Sequence, residues 1–430
     1  MAAVNRKQTL ILGGSFAGLT VAHDLRRLLK GQHDVTIIDR SDKFIYIPSL
    51  IWVPFGRRSE KQISFPLRPT LESKGIRFLH AEADKIDVEN KSVTYTLKSE
   101  PSKTGEIKYD YLVIATGPHV EFESVKGLGP DNGYTQSVCD MHHSLEAKDA
   151  WDEFVKSPGP VIVGATQGAA CYGAAYEFVF NLEYFARKAG IRNKTPVTYI
   201  TSEPFAGHFG IGGLKHGQAM TEAFFKMEHI DWVVNGVIDE VGPSCVRFKQ
   251  GQLHKAKDGS VTDIADQCLP FRYSMIIPPF LGVKIVRDAG LGNGRGFVPV
   301  NDYFQHVDHP EIYGAGVSVA VASADATACS AGCAVPKTGY ISEVMARYTA
   351  INITKSIQGQ PLVPKPTADI DAKCVLDAGN MGIIMFTDRV YTPKSRKHQI
   401  LIPGPWAHWL KIVFEQYFLW KLKAGYTNLP

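Results

Sequence analysis

The sequence contains no run of about 18 or more apolar residues, so it predicts no membrane-spanning helix. The stretch from Met1 to Gln8 is short and polar and lacks an apolar core, so we expect no export signal. The formal net charge of +4 is small for 430 residues and does not indicate a nucleic-acid-binding surface. Hydrophobic residues make up 44% of the chain, which suits an ordinary globular protein of two or three domains.

Cysteine is scarce, and its spacing excludes several redox families. The chain has seven cysteines, an odd number that does not fit a framework of structural disulfides. None of them forms a CxxC pair, which argues against zinc sites and thioredoxin-like motifs, so we expect no metal. No cysteine precedes Cys139, whereas a glutathione-reductase-like enzyme needs a CxxxxC pair soon after its first ribose-binding acid.

Two segments, residues 8–40 and 159–203, follow the same plan of apolar strand, Gly-rich turn, helix and second strand. Continuous apolar strands that alternate with helices are typical of parallel sheets covered on both faces. The sequence therefore predicts an α/β fold with two Rossmann-like domains and a C-terminal membrane-associating helical segment. The expected boundaries are 1–125 with 286–345 for the first domain, 126–285 for the second, and 346–430 for the C-terminal region.

The first Gly-rich turn, residues 13–18, is a dinucleotide-binding fingerprint with one departure. Ser15 stands where a glycine usually lets the backbone approach a pyrophosphate closely. The helix that begins near Ser15 points its N-terminal amides at the phosphates. Asp39, at the end of the second strand, is placed to accept hydrogen bonds from a ribose. Taken alone, the segment is also compatible with a tight strand–helix turn that binds no ligand.

Two later segments give the chain a resemblance to the flavin disulfide reductase superfamily, which implies FAD as the cofactor. Residues 109–117 resemble the strand and turn by which that superfamily returns to its FAD, and residues 312–316 resemble its second FAD contact. The usual aspartate after that second contact is Val317 here. The residues assigned to FAD are Gly13, Ser15, Phe16, Ala17, Gly18, Asp39, Arg40, Ser49, Ala83, Ala115, Thr116, Gly117, Gly316, Val317 and Lys337.

The second Gly-rich turn, residues 164–169, lacks the middle glycine expected of a nicotinamide-binding fingerprint. We therefore expect the second domain to keep the fold but to have lost the cofactor. Cys171 follows at the start of a helix, where the helix dipole stabilises a thiolate. The turn argues against a type-2 NADH dehydrogenase and leaves cysteine redox chemistry open.

Three cysteine segments, residues 136–139, 168–177 and 374–377, resemble the cysteine sites of the sulfide:quinone oxidoreductases. Residues 201–208 and 335–340 resemble further motifs of that family. This resemblance covers nearly the whole chain. It implies an enzyme that oxidises hydrogen sulfide and reduces a membrane quinone.

The resemblance also assigns roles to the three cysteines. It implies that Cys171 and Cys374 share a sulfur bridge on one side of the flavin, where sulfide opens the bridge to a persulfide. Cys139 either joins the flavin or helps to release polysulfide. Lys337 is implied to lie near the flavin or the quinone as a fixed positive charge. The positions matched to proton handling, for which structural roles are equally open, are Glu177, His143 and His208.

Four cysteines lie outside this pattern. Cys329 and Cys333 form a CxxxC pair that departs from the family, and at helical spacing both thiols would share one face. Small-residue packing and an auxiliary redox pair both remain open for them. Cys245 and Cys268 fall in a β-rich insert expected between about residues 235 and 275, and we expect them to be inert.

Residues 406–423 predict a helix that is apolar on more than one side. One set follows the 3.6-residue period and consists of Trp406, Trp409, Leu410, Val413, Tyr417 and Trp420. A second set consists of Ile412, Phe418, Leu419 and Leu422. Such a helix buries one face in the protein and a second in lipid, or in a homo-oligomer interface. Basic residues outnumber acids from Lys394 onward, which favours anionic headgroups.

The resemblance places a quinone pocket beside this helix. Lys373 and Val375 flank Cys374 in a way that departs from other relatives, which leaves the preferred quinone open. The residues assigned to the quinone are Phe414, which would stack on the ring, Tyr417 and Tyr340.

The sequence thus predicts a peripheral membrane flavoenzyme that oxidises sulfide to polysulfide or sulfur and reduces a quinone. We expect a membrane surface as a partner and a homo-oligomeric state. The alternatives are a flavocytochrome-type sulfide dehydrogenase subunit, a type-2 NADH:quinone dehydrogenase and a flavin redox sensor. The flavocytochrome type would be expected to have an export signal and a cysteine near Tyr46, and neither is found.

Overall fold

The computed structural model describes residues 6–322 and 332–429. The α-helices are α1 (Phe16–Leu28), α2 (Leu67–Glu72), α3 (Met141–Lys156), α4 (Tyr172–Lys188), α5 (Gly217–Met227), α6 (Lys284–Asp288), α7 (Gly339–Ile357) and α8 (Pro405–Ala424). The strands of the first half are β1 (Gln8–Leu12), β2 (Asp34–Asp39), β3 (Lys43–Ile45), β4 (Ser64–Pro66), β5 (Arg77–Asp87), β6 (Ser92–Leu97), β7 (Thr104–Lys108), β8 (Tyr111–Ile114), β9 (Pro118–Val120), β10 (Val161–Ala165) and β11 (Val197–Thr201). The remaining strands are β12 (Ile230–Val241), β13 (Cys245–His254), β14 (Val261–Ile264), β15 (Gln267–Pro270), β16 (Tyr273–Ile277), β17 (Phe280–Gly282), β18 (Ile312–Gly314), β19 (Ala372–Asp377), β20 (Gly382–Thr387) and β21 (Gln399–Gly404).

The first sheet has the strand order β18-β8-β1-β2-β5-β6-β7, and its strands from β18 to β5 are parallel. Leu12 at the end of β1 lies beside Ile38 of β2 and Ile114 of β8. The carboxyl ends of these strands therefore meet at one edge, which is where nucleotides bind in such sheets. The chain leaves this sheet after β8 and returns to it at β18, after it has built the second sheet.

Both faces of the first sheet are buried, which explains its continuous apolar strands. Ile11 and Val113 face a core formed with α1 and α7, where Leu19 and Met345 are fully buried. Leu10 and other residues of alternate register face a second, separate core. The two helices that cover the sheet come from opposite ends of the sequence, so the first domain closes only when α7 docks on α1.

The second sheet has the order β14-β13-β12-β11-β10-β16, with β15 beside β13. Strands β16, β10, β11 and β12 are parallel, as predicted for a second Rossmann-like unit. Strands β13, β14 and β15 pair in antiparallel fashion and form the expected β-rich insert. The two parallel-stranded sheets confirm the predicted α/β class with two Rossmann-like folds.

The expectation of no structural disulfides is wrong for Cys245 and Cys268. These residues lie on the paired strands β13 and β15 and form a disulfide with a Cα–Cα distance of 5.6 Å. Their pairing depends on the register of two strands, which cysteine spacing alone does not reveal. Cys333 is also disulfide-bonded, whereas Cys329 lies outside the described residues.

The sequence predicted a helical C-terminal segment, but this region also contains a β-sheet. Strands β19, β20 and β21 form a three-stranded antiparallel sheet that packs against α8. The sequence did not predict this sheet, because prolines interrupt its strand patterns. Pro403 is tolerated in β21 because β21 is an edge strand. The aromatic helix is present as α8, Pro405–Ala424. Among the described residues, no helix has both the length and the apolarity that crossing a bilayer requires.

Candidate active site

The first Gly-rich turn has the backbone geometry of a phosphate cradle. Gly13 has φ +105°, and a side chain there would overlap the carbonyl oxygen of Ala115. Gly18 packs so closely that its side chain would overlap the carbonyl of Gly13. Ser15 precedes α1 without capping it through its side chain, so the first-turn amides remain available to an anion.

Asp39 lies at the mouth of this turn with both carboxylate oxygens fixed. Its Oδ2 accepts a hydrogen bond from the Gly14 amide at 2.5 Å, and its Oδ1 accepts one from the Ser41 amide at 2.7 Å. Burial raises the pKa of Asp39, while these two amides act in the opposite direction. Arg40 is exposed next to Asp39, and its carbonyl contacts His80. This edge suits the ribose and pyrophosphate of a dinucleotide.

A cavity of about 250 Å³ lies farther along the same edge. Its lining includes Cys171, Val317, Lys337 and Arg295. Gly316, at φ +74°, lets the returning chain approach α1 so closely that a side chain there would lie 2.9 Å from the Cβ of Ala17. The cavity therefore joins the cysteine segment to residues that the sequence assigned to FAD.

Lys337 is buried beside this cavity without a carboxylate partner in its described contacts. Its Nζ donates to the carbonyl oxygen of Val319 at 2.6 Å and lies 4.1 Å from the ring centre of Phe297. Burial, together with the nearby Arg295, lowers the pKa of Lys337 to about 7. A buried lysine beside a cavity is suited to bind a ligand group that carries negative charge.

The remaining residues assigned to FAD lie at or near the carboxyl edge, with two exceptions. Thr116 and Gly117 follow β8, and the Cα of Gly117 faces open space at φ +71°. Ser49 is fully buried and donates from Oγ to Glu415 at 2.5 Å, so its hydroxyl is engaged within the protein. Ala83 lies in β5, where the ladder to β6 shifts register.

Cys139, Cys171 and Cys374 are free, partly buried thiols. Cys171 immediately precedes α4, Cys374 lies in β19, and Cys139 lies just before α3. A charge on Cys171 raises the pKa of both Cys374 and Cys139, so the three thiols lie within electrostatic reach of one another. The fold thus brings together cysteines that are far apart in the sequence.

Burial controls the protonation of these thiols. It raises the pKa of Cys374 to about 12, with Glu177 adding to the effect and Lys411 opposing it. Burial likewise raises the pKa of Cys139 to about 12. At Cys171 burial also raises the pKa. It outweighs the hydrogen bond with the Ala174 amide, which acts in the opposite direction. The thiolate that the helix dipole was expected to stabilise at Cys171 is therefore disfavoured until another charge compensates it.

Glu177 is the carboxylate nearest to this chemistry in the described contacts. It lies in α4, and its Oε1 accepts hydrogen bonds from Lys411 Nζ and, at 2.9 Å, from the amide of Asp377. Burial raises the pKa of Glu177 to about 7, although Lys411 pulls it down. A carboxylate that titrates near neutral pH is suited to accept a proton from hydrosulfide.

His143 and His208, the other residues matched to proton handling, have different surroundings. The imidazole of His143 lies 3.0 Å from Asp140 and 3.4 Å from Asp131. The Nδ1 of His208 accepts a hydrogen bond from the Gly210 amide at 3.2 Å, and its ring packs on Phe205. These contacts fix both side chains without assigning them a proton-transfer role.

The sequence analysis missed a group of buried polar residues where α8 meets the cysteines. His408, Lys411 and Glu415 lie on the inner face of α8 and are each less than a tenth exposed. Asp377 Oδ1 contacts His408 Nδ1 at 2.6 Å, and Asp377 Oδ2 accepts from Trp52 Nε1 at 2.9 Å. The spacing of three and then four residues along an apolar helix is the signal that could have identified the inner face.

In the second Rossmann-like domain, side chains at the strand end and in the Gly-rich turn are engaged by contacts within the protein. Glu203, at the strand end, is fully buried and accepts from Tyr176 at 2.7 Å, from Thr201 at 2.6 Å and from the Phe209 amide. Gln167 stands in the Gly-rich turn and exchanges two hydrogen bonds with the backbone of Ile238. The acid in the position that would hold a ribose is therefore engaged within the protein, and the loss of the cofactor stays a prediction.

The residues assigned to the quinone lie on two helices. Phe414 and Tyr417 of α8 both pack on Phe418, with ring centres 6.1 and 5.8 Å apart. Tyr340, at the start of α7, donates to Asp371 at 2.7 Å, and Lys373 lies 5.0 Å from its ring centre. Phe414, Tyr417 and Tyr340 all pack against the core that contains α1.

Comparison with known proteins identifies the family. The profile of the pyridine nucleotide-disulphide oxidoreductase family matches residues 7–332. The sulfide-quinone reductase of Aquifex aeolicus is 35% identical over 425 residues, which cover 97% of this chain and 92% of that protein. The chain belongs to the sulfide:quinone oxidoreductases of this family. The mitochondrial sulfide:quinone oxidoreductase of Mus musculus is 24% identical over 73% of this chain and 66% of that protein.

Solved structures agree with this assignment. The sulfide:quinone oxidoreductase from A. aeolicus superposes with a TM-score of 0.85 at 34% identity, and the match covers 97% of this chain and 92% of that one. NDH2 from Plasmodium falciparum, in complex with NADH, superposes with a TM-score of 0.68 at 12% identity over 99% and 97% of the two chains. The second likeness shows the shared fold alone. The chain is thus an FAD-dependent oxidoreductase, and the glycine cradle, Asp39 and the cavity fit that cofactor.

Proposed function

We propose that this protein passes two electrons from hydrogen sulfide, through FAD, to a membrane quinone and releases polysulfide or sulfur. The observation that carries the proposal is that Cys171 lines the same cavity as Lys337, while Glu177 of the helix that follows Cys171 binds the backbone of β19, the strand that holds Cys374. Cysteine pairs of this kind react with hydrosulfide because sulfur in a disulfide is a soft electrophile. The A. aeolicus relative bears the corresponding name.

In the oxidised protein we assign a sulfur bridge between Cys171 and Cys374. Hydrosulfide attacks one sulfur of the bridge, so that one S–S bond breaks and another forms. The products are a persulfide on one cysteine and a thiolate, assigned to Cys374, on the other. Glu177 accepts the proton that hydrosulfide gives up, and Cys139 receives or releases the growing sulfur chain.

FAD supplies two-electron chemistry when it is bound, because it can accept an electron pair from sulfur and pass it to a quinone. The pyrophosphate would be held by the amides that follow Gly13 and the ribose by Asp39. Lys337 would stabilise negative charge on the ring system from the side of the cavity. His143 and His208 are assigned to the support of the cysteine segments.

The quinone is assigned to the region where Phe414 and Tyr417 of α8 lie near Tyr340 of α7. Phe414 offers a half-buried ring for stacking, and the Tyr340 hydroxyl offers a hydrogen bond near Asp371. In this assignment the quinone lies between the first domain, residues 1–125 with 286–345, and the C-terminal region, residues 346–430. The sulfide chemistry draws Cys139 and Cys171 from the intervening domain, 126–285.

The outer face of α8 is assigned to a membrane surface. Trp406, Trp409, Val413 and Trp420 are each more than half exposed there, an arrangement that suits the interface of a bilayer. The expected charge attraction is weaker than the sequence suggested, since several of the basic residues are buried. The buried ones are Lys397, Lys411 and Lys421, and the exposed ones are Lys394, Arg396 and Lys423. The alternative is that this face packs against another copy of the chain in a homo-oligomer.

The proposal is tested by decyl-ubiquinone reduction with sulfide as the donor. We expect Cys171→Ser and Cys374→Ser to lose at least about 100-fold in turnover, because each removes one end of the bridge, while both retain flavin absorbance. The matched control is the double variant Cys245→Ser/Cys268→Ser, which removes two sulfurs from the β-rich insert and should remain active. Full activity of both bridge variants, or equal turnover with NADH, would contradict the proposal.

A further inference from the structure

The C-terminal helix contributes a buried lysine to the sulfide site. Lys411 is 4% exposed, and its Nζ donates to Glu177 Oε1. The same ammonium lies 4.9 Å from the ring centre of Trp52, so an aromatic face covers another side of it. The charge of Lys411 lowers the pKa of Cys374 and of Asp377, which both lie in β19.

The buried ion pair between Lys411 and Glu177 is weak evidence for a purely structural role. A buried salt bridge gains little over well-packed apolar residues, because both charges lose their hydration. The remaining inner face of α8 is held by other contacts, since Glu415 binds Arg58 Nε at 2.9 Å and Ser49 at 2.5 Å. Asp377 is likewise held by His408 and Trp52. A buried lysine at this position is therefore better explained by the charge that it supplies.

We propose that Lys411 is a positioning residue for sulfide oxidation: its ammonium keeps Glu177 ionised and stabilises the Cys374 thiolate when the sulfur bridge opens. The reaction creates the need for such a charge. When hydrosulfide attacks the bridge, one negative charge moves from the incoming sulfur to the departing cysteine, and Glu177 must then take up a proton. Lys411 touches Glu177 and lies within electrostatic reach of Cys374, so it offsets both charges without leaving its place.

The groups that face Glu177 come from four parts of the chain. Lys411 comes from α8, Asp377 and Cys374 from β19, and Cys171 from the start of α4, while Tyr46 lies near enough to respond to its charge. Lys411 supplies the opposing charge among these groups, whereas Asp377 raises the pKa of Glu177. Loss of Lys411 must therefore move the protonation of Glu177 to higher pH.

The inference rests on the proposed function and is tested by the pH dependence of flavin reduction by sulfide in a single turnover. For Lys411→Met we expect the acid limb to move up by about one pH unit or more, with a rate at pH 7 that is about tenfold lower. Lys411→Arg retains the charge and should keep the limb near that of the wild type. The matched control is Lys421→Met, which removes a second buried lysine of α8 that pairs with Glu343. Its acid limb should not move.

A second measurement separates this role from a packing defect. Cys374 is alkylated in a Cys139→Ser/Cys171→Ser background, and its reaction rate is followed against pH. We expect Lys411→Met to slow alkylation several-fold at a fixed alkaline pH, since the thiolate loses its opposing charge. An unmoved limb together with unchanged alkylation would overturn the role of Lys411, although sulfide oxidation itself would stand. A wild-type protein that sulfide fails to reduce would instead overturn the proposed function.

Discussion

At the scale of single residues, burial decides the protonation of the candidate site. The start of α4 favours an ionised Cys171, yet the loss of hydration is the larger effect and raises its pKa. Cys139 and Cys374 respond in the same way. Burial therefore favours the neutral thiol over the thiolate at all three cysteines. The same burial moves Glu177 into the range where a carboxylate is an effective base.

Glu177→Gln tests this conclusion directly. Because burial raises the pKa of Glu177 to about 7, its base form exists above that pH and is lost as the pH falls. We expect the wild-type rate of flavin reduction by sulfide to decline on the acid side of about pH 7. We expect the variant to lose this limb together with about 100-fold in rate. The measurement is stopped-flow flavin absorbance between pH 5 and 9, a range of about four units around that value.

Glu183→Gln is the matched control for this experiment. Glu183 also lies in α4, is also buried, and also has a pKa raised to about 7 by burial. Its carboxylate pairs with Arg187 and Arg192 rather than with the cysteine site. If Glu183→Gln removed the acid limb and Glu177→Gln left it in place, the assignment of the base would be wrong.

At the scale of elements, α8 has two faces with different tasks. Its inner face carries the charged groups that meet α4 and β19, while its outer face exposes Trp406 and Trp409. The 3.6-residue period predicted the helix and its aromatic stripe, but it did not show which lysines turn inward. That distinction depends on partners such as Glu177 and Glu343, which lie on other helices far away in the sequence.

The outer face of α8 makes a prediction about membranes. We expect Trp406→Ser/Trp409→Ser to reduce binding to vesicles of mixed neutral and anionic lipids by at least about tenfold, because two exposed aromatic anchors are lost. Co-sedimentation with vesicles measures the bound fraction. Tyr134→Ser, which removes an exposed aromatic residue of the second domain, should bind like the wild type. If the double variant binds vesicles normally but changes its oligomeric state, the face is a protein interface instead.

Strands β19 to β21 show where pattern reading fails. Cys374 was matched to its family position, yet the sheet that holds it was not predicted, because short strands interrupted by prolines give a weak periodic signal. The disulfide between Cys245 and Cys268 was missed for a related reason, since it depends on the register of β13 and β15. The local sequence patterns predicted the long apolar strands, but they did not predict the short antiparallel strands.

At the scale of the whole molecule, the interrupted first domain is what assembles the site. The chain leaves the first sheet after β8, builds the second sheet with Cys171 at its edge, and returns with β18 before β19 supplies Cys374. The two glycine turns predicted both sheets, and the family resemblance selected the cysteines. No spacing in the sequence could show that Lys411 contacts Glu177 or that His408 contacts Asp377, because those contacts exist only after α8 has docked.

The second sheet keeps a Rossmann-like fold in which Glu203 and Gln167 form hydrogen bonds within the protein. Cys139 and Cys171 lie in this second part of the chain, just before α3 and α4. Under the proposed function, the first copy of the fold binds the flavin and the second serves sulfur chemistry. The loss of a nicotinamide site, which the missing middle glycine indicates, stays a prediction.

The most direct test of the account is to identify the sulfur link between Cys171 and Cys374. The purified protein is exposed to sulfide and a quinone, alkylated without reduction, digested, and analysed by mass spectrometry. We expect a pair of peptides joined through the sulfurs of Cys171 and Cys374, either directly or through additional sulfur atoms. This linked pair should disappear after reduction. Separately alkylated Cys171 and Cys374 peptides in a fully active preparation would contradict the account.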